Sequence, residues 1–135
     1  MITEAQWQQQ VVDLASILGW SWGHFRPAKT QRGWRVPVSG PLGHGWPDLV
    51  LVRDDRLVFV ELKRSGKIAP SPEQRLVLEL LGAAVEVYVW TPDDMDEVTR
   101  VLAAPRKTGA RQTPVDTLGS SYQVASHDPE HKETR

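Results

Sequence analysis

Gly45-Trp46-Pro47-Asp48-Leu49-Val50-Leu51-Val52-Arg53-Asp54-Asp55-Arg56-Leu57-Val58-Phe59-Val60-Glu61-Leu62-Lys63 is the stretch from which the fold can be read. Leu49–Val52 and Leu57–Leu62 are apolar, β-branched runs, and the charged segment 53–56 between them reads as a tight turn joining two strands. Side chains alternate along a strand, so Glu61 and Lys63 point to one face and Val60 and Leu62 to the other. The turn lays the start of the first strand beside the end of the second. Asp48 and Glu61 are therefore expected to converge at the open end of this hairpin.

Outward from this hairpin, the C-terminal side continues the pattern. Ser71-Pro72-Glu73-Gln74 carries a helix start, with Ser71 as N-cap, proline in the first turn and Gln74 at the capping-box position. The spacing predicts a helix to Gly82 with Leu76, Val77, Leu80 and Leu81 on its buried face. Val85–Trp90 reads as a further buried strand, and Thr91-Pro92-Asp93 caps a last helix reaching about Leu102. Strand 57–62, helix 71–82 and strand 85–90 make a crossover unit, which implies a parallel pair. On the N-terminal side, Thr3 and Gln6 form a capping box, Ile2 and Trp7 a hydrophobic staple, and Trp7, Val11, Leu14 and Leu18 recur at helical spacing before Gly19. Residues 20–26 are expected to form a short strand, and 27–47 a long loop or ragged hairpin. The order α-β-β-β-α-β-α gives an α/β domain with a central mixed sheet flanked by helices.

With 135 residues the chain fits one domain, read as 1–103, followed by a poorly ordered tail over 104–135 where apolar periodicity stops. Hydrophobic residues at 40% and charged residues at 24% match a soluble domain rather than a membrane or disordered one. No run approaches the ~20 apolar residues of a membrane span, and the N-terminus lacks a basic, then apolar, leader. The absence of cysteine excludes disulfides, thiolate metal sites and a cysteine nucleophile, and suits a cytoplasmic protein. The net charge of -1 conceals a basic middle: residues 24–75 carry +5 and residues 76–102 carry -5.

Two carboxylates about 4 Å apart repel by roughly 4 kcal/mol at an effective dielectric near 20. One lysine offsets part of this. A divalent cation with oxygen ligands offsets all of it, and Asp48, Glu61 and the Leu62 backbone carbonyl suit a partly hydrated Mg²⁺ or Mn²⁺. Such a cation can activate water and stabilise charge on a phosphate, and Lys63 would reach the same place. This is the minimum apparatus for phosphodiester hydrolysis. Glu4 shares the stripe 4, 7, 11, 14, 18 and is a candidate further ligand, although a first-turn acid needs no such role. Arg26, Lys29, Arg32 and Arg35, interleaved with Trp34 and Trp46, suggest a phosphate-contacting and stacking surface; Arg64, Lys67 and His44 are further candidates for DNA contact.

The residues Gly45–Val52, then Phe59-Val60-Glu61-Leu62-Lys63, then Gly66-Lys67-Ile68-Ala69-Pro70-Ser71-Pro72-Glu73-Gln74 resemble the virus-type replication-repair nuclease (VRR-NUC) domain of the PD-(D/E)xK nuclease superfamily. The approach Gly40–Asp48 and the segment Gly82–Trp90 also resemble stand-alone members from phage and bacterial genomes. The resemblance covers about residues 3–102. It implies a restriction-endonuclease-like core, Mg²⁺ or Mn²⁺ dependence and DNA cleavage, with Asp48, Glu61, Lys63 and Gln74 as the catalytic set. A glutamate in the first helix, here Glu4, is a recurrent extra ligand in that superfamily. Stand-alone members are associated with homodimers acting on branched, junction-like DNA in replication, recombination or repair. The rival readings are a non-catalytic DNA-binding module of the same fold and a metal-free protein whose acids and lysine form a buried ion-pair network.

Overall fold

The computed structural model describes residues 2–35 and 37–105. Helix α1 (Glu4–Ile17) starts at the expected capping box: the Gln6 amide N–H donates to Thr3 Oγ1 at 3.1 Å and the Thr3 N–H to Gln6 Oε1 at 2.9 Å. Gly19, at φ +88°, turns the chain into β1 (Ser21–His24). The segment expected as a loop or ragged hairpin holds a true hairpin, β2 (Ala28–Thr30) and β3 (Gly33–Arg35), then a short 3-10 helix at Pro41–Gly45. Strands β4 (Leu49–Arg53) and β5 (Arg56–Leu62) flank a turn in which Asp54 takes φ 55°. Helix α2 (Pro72–Gly82), β6 (Glu86–Trp90), a 3-10 turn (Pro92–Asp94) and α3 (Met95–Ala103) complete the described chain.

Among the described residues, β1-β4-β5-β6 form one mixed sheet and β2-β3 a separate ribbon. The sheet's first two pairings are antiparallel, and β5 runs parallel to β6 with Val60 opposite Tyr88, as the crossover through α2 requires. The protein is thus an α/β domain with a mixed sheet between helices. Leu49, Leu51, Val58, Val60 and Leu62 face α1 and α3, where Trp7, Val11, Ala15, Trp20, Val98 and Leu102 close a dry core. Each large indole there finds an acceptor: Trp7 Nε1 donates to the Trp90 carbonyl at 3.1 Å and Trp20 Nε1 to the Leu102 carbonyl at 2.9 Å. A buried indole N–H left alone would cost the core about 1–3 kcal/mol.

Helix α2 covers the opposite sheet face, and its inward stripe is not the expected one. Only Val77 is fully buried among its residues, with Gln74, Leu78 and Leu81 half-buried, whereas Leu76 and Leu80 are 57% and 55% exposed. Positions 74, 77, 78 and 81 share one helix face. The helix is therefore rotated so that a glutamine, not a leucine, begins its buried stripe. The Ala104 carbonyl accepts from both Arg53 and Arg56; residues 106–135 of the expected tail lie outside the described residues. No helix among the described residues is long and apolar enough to cross a membrane.

Candidate active site

The rotation of α2 matters because Gln74 is both a helix cap and a site residue. Its backbone N–H donates to Ser71 Oγ at 3.1 Å, and its Oε1 accepts the Ser71 N–H at 2.9 Å. The same Oε1 accepts from Lys63 Nζ at 3.1 Å, while Nε2 donates to Glu61 Oε2 at 2.9 Å. Lys63 Nζ in turn pairs with Glu61 Oε2 at 3.1 Å. Helix initiation thus fixes the amide that joins the lysine and the glutamate. Gly45 makes this possible from the other side: a Cβ built there would stand 2.3 Å from the Glu73 carbonyl oxygen and 2.8 Å from the Gln74 Cα. Only a residue without a side chain lets the 41–45 turn lie against the first turn of α2.

Asp48 arrives at the end of that turn, held by Trp46 and the buried Pro47. Trp46 packs edge-on between Phe25 and Phe59, with centroids 5.6 and 5.3 Å away. It is a wedge within the domain, so its expected place on a stacking surface is corrected; only Trp34 of the two is open to solvent, at 65%. Asp48 Oδ2 accepts the Leu62 N–H at 2.8 Å, which brings the open ends of β4 and β5 together as the hairpin argument requires. Asp48 Oδ1 and Glu61 Oε1 carry no hydrogen bond among the described residues.

The electrostatics of this pair are unfavourable in the protein alone. Glu61 is 3% exposed, and burial followed by the Asp48 charge pushes its carboxyl up to about 7 despite the counteracting Lys63. Burial also raises Asp48, opposed by the Leu62 hydrogen bond and reinforced by the charge of Glu4. Glu4 itself is exposed, because position 4 lies at the very start of α1, beyond the last core layer. It lines the same cleft of about 610 Å³ as Asp48, Leu62, Gln8, His24, Arg26 and Pro27. Among the described residues no three His, Asp or Glu side chains are gathered closely enough to cage a metal. Glu4 thus contributes charge at the rim and stands outside the carboxylate pair.

This donor set fits a cation that keeps much of its water. Two acids each commit one oxygen to the protein and retain the other, beside Leu62, in a place where negative charge is under-compensated. Hard oxygen donors in that number suit Mg²⁺ or Mn²⁺. Asp48, Glu61 and the Leu62 carbonyl are the groups that would hold it.

Gln8 escaped the sequence reading, and His24, an isolated histidine that could bind metal but has no spaced partner in sequence, is not placed in the site by it. His24 pairs with Leu49 across β1–β4, and its Nδ1 lies 3.1 Å from Gln8 Nε2. Burial, then the neighbouring Arg26, lowers its pKa, with Asp48 opposing. Only the strand register brings residue 24 to the cleft. His44 sits exposed on the 3-10 helix, and Arg64 and Lys67 sit exposed on the β5–α2 connection. Arg26 lines the cleft, Lys29 and Arg32 are exposed on the hairpin, and the Arg35 side chain falls outside what is described.

Comparison with protein-family models, with curated proteins and with solved structures finds no match for this chain.

Proposed function

We propose that the protein is a Mg²⁺- or Mn²⁺-dependent DNA endonuclease of the VRR-NUC, PD-(D/E)xK kind, with a restriction-endonuclease-like core. One observation carries the reading: the buried Glu61 stands beside the half-buried Asp48 with Lys63 as their shared cation, and Lys63 and Gln74 are both bonded to the same Glu61 carboxylate. In the rival ion-pair network the protein would satisfy its own charges. Here burial and the Asp48 charge raise Glu61 to about 7 with its lysine already in place, which supports uptake of a cation over a self-satisfied ion pair.

A divalent cation held by Asp48, Glu61 and the Leu62 carbonyl would supply the charge that offsets what builds up on a phosphate during hydrolysis. Lys63 does the rest of the electrostatic work from its own ammonium. Of its three N–H donors, one is given to Glu61 and one to Gln74, which leaves a third for a phosphate oxygen or the attacking water. Gln74 keeps that ammonium aimed, and the Ser71 cap keeps Gln74 in place. Branched DNA and a homodimer that presents two sites to two strands complete the reading.

The experiment is incubation of labelled four-way-junction, flap and duplex DNA with the full chain and Mg²⁺ or Mn²⁺. Wild type cleaves at least one of them, and Lys63→Ala and Asp48→Asn are each slower by about 100- to 1000-fold, the usual scale for losing one preorganised charge-stabilising group. Absence of cleavage by wild type, or undiminished cleavage by both variants, overturns the nuclease reading. Mn²⁺ must also raise the melting temperature of wild type and not of Asp48→Asn, since a ligand bound only by the folded state stabilises it. The metal-free network requires no such shift.

A further inference from the structure

Among the described residues the β2–β3 ribbon supplies no buried side chain. Residues 26–32 are all exposed, the strands pair only with each other among the described residues, and a two-stranded ribbon on its own is marginal in water. Its turn is nevertheless well built. Thr30 Oγ1 donates to the Gly33 carbonyl at 2.7 Å and accepts the Arg32 N–H at 3.1 Å, and Gly33 takes φ +98°. A ribbon with a well-formed turn and mostly exposed side chains is suited to contacts outside the domain.

Its register says what that use is. Lys29 lies directly opposite Trp34 in the antiparallel pair, so the two side chains share one face with Cβ atoms about 5 Å apart. Trp34 presents most of an indole to solvent. An aromatic plane beside an ammonium matches one nucleotide, the ring receiving a base face and the cation its phosphate. Arg26 and Pro27, the residues that lead into β2, line the acidic cleft, and Lys29 is two residues, about 7 Å of extended chain, beyond Pro27. The charge is of the right sign throughout: no acidic residue occurs between Asp13 and Asp48, while Arg26, Lys29, Arg32 and Arg35 fall in that interval.

In a continuous duplex each base face is covered by its neighbours, so such a platform engages only a base that has lost its stacking partner. We infer that the Lys29–Trp34 face of the hairpin captures an unpaired DNA nucleotide next to the cleft and thereby selects substrates with single-stranded character. This deepens the proposed function and rests on it for the identity of the strand.

The test is equilibrium binding of the full chain in EDTA, read by fluorescence anisotropy of labelled DNA. Three ligands are used: a continuous duplex, the same duplex with a short thymidine gap, and that gap made of abasic sites. Wild type prefers the thymidine gap and loses the preference on the abasic one. Trp34→Ala weakens gap binding by about five- to a hundredfold and duplex binding by under about twofold, Trp34→Phe keeps most of the gap affinity, and Lys29→Ala weakens both ligands. Equal affinity of wild type for the base-bearing and abasic gaps, or equal losses by Trp34→Ala on gap and duplex, overturns the inference. The abasic comparison needs no variant, so it decides the matter even if a substitution disturbs folding. Because binding in EDTA requires no hydrolysis, base-dependent binding by a protein that never cuts would overturn only the nuclease reading. Cutting indifferent to Trp34 and to unpaired bases would overturn only this one.

Discussion

The β4–β5 hairpin carries buried charge at both ends, and the two ends are built on opposite terms. At the turn, Arg53 and Arg56 lie over the Trp20 ring with their guanidinium carbons 4.6 and 5.0 Å from its centroid. Arg53 donates to the carbonyls of Leu18 and Leu102, and Arg56 to those of Val101 and Ala104 and, at 2.6 and 2.8 Å, to both oxygens of Glu86. These are the C-terminal carbonyls of α1 and α3, the places where a helix leaves acceptors unfilled and favours a cation. At the open end, Asp48 and Glu61 share one lysine, one glutamine and one backbone N–H. Burial of ions therefore does not by itself mark a functional place. What distinguishes the two ends is whether the protein's own groups complete the charge.

The comparison breaks most visibly if the turn end proves dispensable. Arg56→Met strips a bidentate partner from the partly buried Glu86 and takes one donor from the Val101 and Ala104 carbonyls, so urea unfolding should show a loss of about 1.5–3 kcal/mol, the scale for hydrogen bonds to a charged group. A loss under about 1 kcal/mol would mean that the two ends are not different in kind.

The open end should behave in the reverse sense. Glu61 titrates from 4.5 in the unfolded chain to about 7 in the folded one, and Asp48 is raised as well. Between those values the folded protein holds a proton that the unfolded chain has released. Stability in EDTA therefore falls as pH rises from about 4.5 to 7, by about 3 kcal/mol from Glu61 alone. Asp48→Asn removes the neighbouring charge and should flatten this slope without lowering stability at neutral pH. An identical slope in that variant would remove the electrostatic basis of the site.

The smallest effect separates two identical devices. Ser71→Ala and Thr3→Ala each delete a capping-box hydroxyl and should each cost about 1 kcal/mol in thermal unfolding. Only Ser71 supports Gln74, so only Ser71→Ala should also slow cleavage, by about tenfold, as loss of an outer supporting hydrogen bond does. Equal rates in the two variants would detach the α2 cap from the chemistry.

The strands, the parallel crossover and both capping boxes were legible because each rests on local signals: apolar runs, charged turns, and Ser or Thr three residues before Gln. Asp48, Glu61 and Lys63 were legible for the same reason, since a hairpin's two ends follow from its turn. The α2 face was not. Leu76 and Leu80 recur at helical spacing, yet the sheet offers α2 only a narrow stripe around Val77, and the hydrogen bonds of Gln74 settle the rotation. Strands β2 and β3 lack any apolar alternation, and Trp46 and Trp34 look alike in sequence although one is wedged between phenylalanines and the other faces water. His24 depends on how two distant strands align, which no window of sequence contains.

Gly45 has a consequence for how this protein can change. Gly40 is held at positive φ but has open space where a Cβ would go among the described residues, whereas Gly45, which is not at positive φ, meets the backbone of a segment nearly thirty residues downstream. A bulkier residue at 45 cannot be absorbed by a rotamer shift, because what it meets is main chain. The loop that delivers the aspartate and the helix that delivers the glutamine are consequently forced to travel together. In a saturation library, position 45 should admit no alternative under selection for activity, on account of this contact rather than of the backbone strain that restricts position 40.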